Sequence, residues 1–139
     1  MRFVHVVTVF FLGTLSLVIL ACGDSTQRTL QNISVSPSTA DAQNYPNGQV
    51  QFTATGTYNT APMTVTPLQA SWGAVQNNAP TTGVTITSGG VAQCAAGATG
   101  VYSIGAWNVI PTKGAVCDVI GPWDNPCNSV LGTAQLTCP

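Results

Sequence analysis

The sequence predicts an all-β protein: an immunoglobulin-like β-sandwich of about seven short strands, preceded by an N-terminal leader and a short tether. Apolar and polar residues alternate with period two in several short runs. Gly, Pro, Asn and Ser clusters separate those runs, and no stretch beyond the leader shows a convincing helical period. Hydrophobic residues make up 45% of the chain and charged residues 5%, so a packed core is available and the surface must be polar but nearly uncharged. At 139 residues there is room for one domain once a leader is removed.

Residues 1–21, MRFVHVVTVFFLGTLSLVILA, have the form of a secretory leader. Arg2 supplies a short positive start, Val6 to Leu20 an apolar run, and Ala21 a small residue at the end. An uncleaved transmembrane anchor is the competing reading, because the run approaches the roughly 20 residues that span a bilayer. Ile19-Leu20-Ala21-Cys22 decides between them, since it resembles the bacterial lipobox. That resemblance implies cleavage before Cys22 and diacylglycerol on its thiol. Two or three acyl chains, at about 0.8 kcal/mol per buried CH₂, anchor a protein stably to a membrane. Gly23 follows the cysteine, whereas Asp in that place retains some bacterial lipoproteins at the inner membrane; an outer location in the cell envelope is therefore expected. Residues 22–29 read as the lipidated N-terminus and tether, and residues 30–139 as the domain.

Leu30 to Ser36 turns Ile33 and Val35 to one face and ends at Pro37, as a first or edge strand does. Between Val50 and Tyr58, the residues Val50, Phe52, Ala54 and Tyr58 share one parity and Gln51, Thr53, Thr55 and Thr57 the other. Ala70 to Val75 forms a strand in which Trp72 is expected to fill the middle of the core. Val84 and Ile86 alternate with threonines, Gly89-Gly90 makes a turn, and Val91 to Cys94 resumes the extended pattern. Two closing strands follow, one turning Tyr102, Ile104 and Ala106 inward and the other Ala134, Leu136 and Cys138.

Several of these segments resemble, in order, the landmarks of the bacterial immunoglobulin-like domain, group 2: Leu30-Gln31-Asn32-Ile33-Ser34-Val35-Ser36-Pro37, Gln51-Phe52-Thr53-Ala54-Thr55-Gly56-Thr57-Tyr58, Thr64-Val65-Thr66, Ala70-Ser71-Trp72 and Gly90-Val91-Ala92. Gly97 to Ala106 and Gly132-Thr133-Ala134-Gln135-Leu136-Thr137 fit that family's closing strands. The resemblance spans nearly all of residues 30–138 and implies a sandwich of the kind found in bacterial surface proteins and adhesins, without catalysis. One departure is an insertion near 107–131 between the closing strands, which carries two cysteines and two tryptophans.

Apart from Cys22, the cysteines are Cys94, Cys117, Cys127 and Cys138, an even number that in an exported protein reads as disulfides with three pairings open. A Cys117–Cys127 bridge would close a loop of about ten residues and contribute roughly 3 kcal/mol, leaving Cys94 with Cys138. Cys94 has the opposite parity to Val91, so the second bridge is expected to need a bulge or a strand end. A four-cysteine zinc site is disfavoured because no short Cys-x₂₋₄-Cys pair is present, and no cofactor is expected.

The single histidine, His5, is in the leader and glutamate is absent, so the mature chain lacks the usual general bases and is expected not to be an enzyme. Asp118 and Asp124 are better read as turn caps than as an acid–base pair or, with Asn125, a Ca²⁺ site. Removing Arg2 takes the formal net charge from −1 to −2, and the remaining cations, Arg28 and Lys113, are far apart. Nucleic acid, which is held by clustered Lys and Arg, is not an expected partner. The expected function is a non-enzymatic, lipid-anchored surface module for architecture, adhesion or protein interaction. The alternative is a carbohydrate-binding lipoprotein that uses Trp107 and Trp123, although either indole can equally cover the base of the insertion.

Overall fold

A computed structural model describes residues 27–108 and 129–139. They form a two-layered β-sandwich, and helical structure among them is limited to two three-residue 3-10 turns, Ala42–Asn44 and Pro46–Gly48. The first layer holds β1 (Leu30–Ser36), β3 (Gln49–Gln51), β4 (Thr53–Tyr58), β5 (Thr64–Val65), β8 (Val84–Ile86) and β9 (Val91–Cys94). The second holds β2 (Thr39–Asp41), β6 (Ser71–Gln76), β7 (Ala79–Pro80), β10 (Gly100–Asn108) and β11 (Val130–Cys138).

β3 and β4 are one strand interrupted at Phe52, whose N–H still donates to the Gly90 carbonyl at 2.8 Å. β4 is flanked by β1 and β5, while β3 pairs with β9 and β9 with β8, all antiparallel. The second layer runs β2-β11-β10-β6-β7, with β2 parallel to β11 and the other pairs antiparallel. Pro37 ends β1, and the chain then crosses to the other layer to form β2. Counting β3–β4 once, seven principal strands appear, as expected; β2, β5 and β7 are two- or three-residue additions.

The period-two pattern works because alternate side chains of each strand enter one core. Val50, Phe52, Ile104 and Leu136 are fully buried at its centre. Leu30 joins Ile33 and Val35 in that core despite its odd spacing from Ile33, because the register with β4 shifts between Leu30 and Asn32 and turns Leu30 inward. Outward positions pair across strands as neutral polar residues: Asn32 with Thr57, Ser34 with Thr55 and Ser36 with Thr53.

One expectation needs correction. Trp72 does not fill the middle of the core; it is half-buried at its rim, and Phe52 occupies the centre. Cys94 stands at the end of β9, one of the two placements expected for it, and β9 pairs on both sides without a register shift, with Ala92 and Cys94 as its inward residues. Val91 is half-buried at the strand's start. At the N-terminal end of the described residues, the Thr29 N–H donates to Asn59 Oδ1 at 2.7 Å, and Asn59 donates back to the carbonyls of Thr29 and Gln27.

The layers approach closely at Gly132 of β11, where a Cβ would lie 2.5 Å from the Ile33 carbonyl oxygen of β1. A backbone oxygen cannot swing aside as a side-chain tip can. Gly132→Ala is therefore expected to lower the unfolding free energy by about 1–3 kcal/mol, the usual range for overpacking. Gly89→Ala, whose nearest neighbour would be Thr87 Oγ1 at 3.8 Å, is expected to stay within about 0.5 kcal/mol of the parent. Urea unfolding of the two variants side by side checks the difference.

Candidate functional site

Cys22, Cys117, Cys127 and Trp123, together with Asp118 and Asp124, lie outside the described residues. Cys94 and Cys138 form a disulfide with a Cα–Cα distance of 5.9 Å. It links β9 of the first layer to the end of β11 in the second, so it ties the two sheets together. Cys138 is buried and Cys94 half-buried, and with both sulfurs in the bridge a four-cysteine zinc site is excluded. Among the described residues no group of His, Cys, Asp or Glu is placed to hold a metal ion.

Trp107 lies within β10 rather than in a loop, and the strand pairing continues to Asn108 opposite Val130. The residues between the closing strands are thus 109–129. Trp107 is half-buried on the parity opposite to Ile104 and Ala106, which face the core, and it pairs across the strands with exposed Leu131. It belongs to the outer face of the second layer.

Arg28 and Asp41 are the only charged side chains among the described residues. Arg28 is fixed at one end of the sandwich, its guanidinium 3.6 Å from the centroid of the Tyr58 ring and its Nη2 donating to the Pro62 carbonyl at 2.7 Å. Met63, next to this cluster, is 58% exposed. The Tyr58 N–H donates to the Met63 carbonyl at 2.7 Å, so the turn that carries Met63 is held against the end of β4.

Concavities open on the surface formed by the described residues. One, of about 410 Å³, lies by the disulfide and is walled largely by Ala and Gly of residues 95–98, with Tyr45, Asn47 and Gln93 at its sides. Another, of about 380 Å³, lies where β3–β4 is interrupted at Phe52. Trp72 and Pro67 line it together with the neutral polar side chains of Gln51, Thr53, Gln69 and Ser88. The sequence does not point to this second place, because Trp72 within Ala70 to Val75 is expected there to fill the core rather than to line a surface concavity. The site is assembled from three separated segments, and no local pattern in any of them announces the others.

Fold and sites together define an all-β sandwich of immunoglobulin-like arrangement, with its layers cross-linked by a disulfide. No family model matches the chain, and no curated protein matches it. Among the described residues no helix is long and apolar enough to cross a membrane.

The bridge spans 44 residues of sequence, and closing a loop of that length restricts the unfolded chain by about 4 kcal/mol. The double variant Cys94→Ala, Cys138→Ala is expected to lose roughly that much stability while keeping its far-ultraviolet β signature. Denaturant unfolding of the oxidised parent against the variant gives the number. Equal stability would show that the bridge adds nothing to the packing around it.

Proposed function

We propose that the chain is a non-enzymatic, lipid-anchored surface module of the bacterial immunoglobulin-like group 2 type, used in surface architecture, adhesion or protein interaction. The observation that carries this reading is the docking of Gln27–Thr29 on the Tyr58–Pro62 end of the sandwich. Between that docked segment and Cys22 only residues 23–26 remain. At about 3.3–3.6 Å per residue they reach at most about 18 Å, so a lipid on Cys22 would hold this end of the domain toward the bilayer. Arg28, Tyr58 and exposed Met63 are a cation, an amphipathic ring and an apolar side chain, which suit the headgroup region.

The Cys94–Cys138 disulfide supports placement outside the cytoplasm, where disulfides persist. The absence of Glu from the sequence, with its lone histidine in the leader, supports a binding role over catalysis. A carbohydrate-binding role through Trp107 and Trp123 is the second reading, favoured by the outward position of Trp107 beside exposed Leu131.

Metabolic labelling with an alkyne fatty acid tests the anchor. The parent chain is expected to take up label and partition into the detergent phase, and Cys22→Ser to lose essentially all of it. Label retained by Cys22→Ser would contradict the assignment.

A further inference from the structure

We propose that the concavity beside Trp72 is a binding site for a neutral carbohydrate, distinct from the outer-face position of Trp107. It forms where the two neighbours of the central strand part. On one side the Leu68 N–H donates to the Ala54 carbonyl at 2.8 Å, and on the other the Phe52 N–H donates to the Gly90 carbonyl at 2.8 Å. Trp72 closes the gap from the second layer. The volume, about 380 Å³, falls in the range of about 300–1,000 Å³ typical of small-molecule sites.

The indole is seated rather than loose. Gly90 has φ +83°, and a Cβ there would lie 3.0 Å from the Trp72 ring and 2.4 Å from the Phe52 carbonyl oxygen, so glycine makes room for both. Gln51 is also fixed, its Nε2 donating to the carbonyls of Phe52 at 2.7 Å and Gly89 at 2.8 Å. That leaves Gln51 Oε1 as an oriented acceptor. The hydroxyls of Thr53 and Ser88 and the side-chain amide of Gln69 make no hydrogen bond to any described residue, so each can donate to and accept from a ligand.

This lining selects by chemistry. Among the described residues neither charged side chain, Arg28 or Asp41, borders the site, so a charged ligand would shed water there without gaining a counter-charge from them. An apolar ligand would leave four polar side chains unsatisfied. A sugar presents hydroxyls that both donate and accept, and a C–H face that packs on an indole. Thr53, which lines the site, and Tyr58 stand at opposite ends of β4, about 16 Å apart at about 3.3 Å per residue, so on the anchored reading the site opens away from the membrane. The pocket itself does not depend on lipid at Cys22.

The test is calorimetric titration of the full chain, purified in a detergent without a sugar headgroup, with linear hexasaccharides of glucose, N-acetylglucosamine, mannose and xylose. At least one is expected to bind saturably with a blue shift of tryptophan emission. Gln69→Ala and Ser88→Ala, both at exposed positions, are each expected to weaken that binding about tenfold with unchanged melting temperature. Trp107→Ala is expected to leave it unaltered. No binding of any of the four at millimolar concentration would overturn the proposal. So would binding that survives both pocket variants and is lost in Trp107→Ala or Trp123→Ala. Since the titration does not read acylation, failure here and failure of the lipid anchor are separately visible.

Discussion

The structure depends on a single interrupted strand, residues 49–58, and on what the interruption at Phe52 allows. With two charged side chains among the described residues, stability has to come from apolar burial and backbone pairing, and this strand supplies both. Val50, Phe52 and Ala54 enter the core, while the backbone serves β1 and β5 on one half and β9 on the other. Phe52 interrupts the assigned strand without losing its hydrogen bond, because the Gly90 carbonyl continues the ladder at that point. Splitting the pairing this way gives one sheet two sets of neighbours. It also opens the gap that Trp72 closes from the other layer.

Much of this was legible in the sequence because the dominant signal, alternation with period two, is a direct image of which face is buried. Tyr102, Ile104 and Ala106, and Ala134, Leu136 and Cys138, face the core as their spacing implies. Parity failed where tertiary geometry intervened. Leu30 turns inward through a local register shift, and Trp72 has an inward-parity position but sits at the rim. In β9 the buried face falls to Ala92 rather than to Val91, and Cys94 reaches the bridge from the strand's end. The polar concavity was not legible at all, since it joins residues 51–54, 67–72 and 88–89 across two layers.

A nearly chargeless surface gives this domain little means of long-range steering, so recognition has to rest on short-range contacts: neutral hydrogen bonds and aromatic faces. The outward ladders of Ser, Thr and Asn on β1 and β4 fit that character, as do the glutamines of β3 and β9. Holding such a module close to a membrane raises its effective concentration at the surface, which offsets weak individual contacts. The short reach from Cys22 to the docked Gln27–Thr29 segment would add a preferred orientation to that confinement. Lipid, disulfide and docked N-terminus would then act in sequence: the first places the domain, the second locks its layers, and the third aims it.

Intact-mass spectrometry of protein purified from membranes without reduction, followed by non-reducing digestion, tests the account most directly. The expected result is a chain that begins at Cys22 and carries diacylglycerol, with a peptide containing Cys94 cross-linked to one containing Cys138. A chain that keeps residues 1–21, with an unmodified Cys22 and free thiols at Cys94 and Cys138, would contradict it.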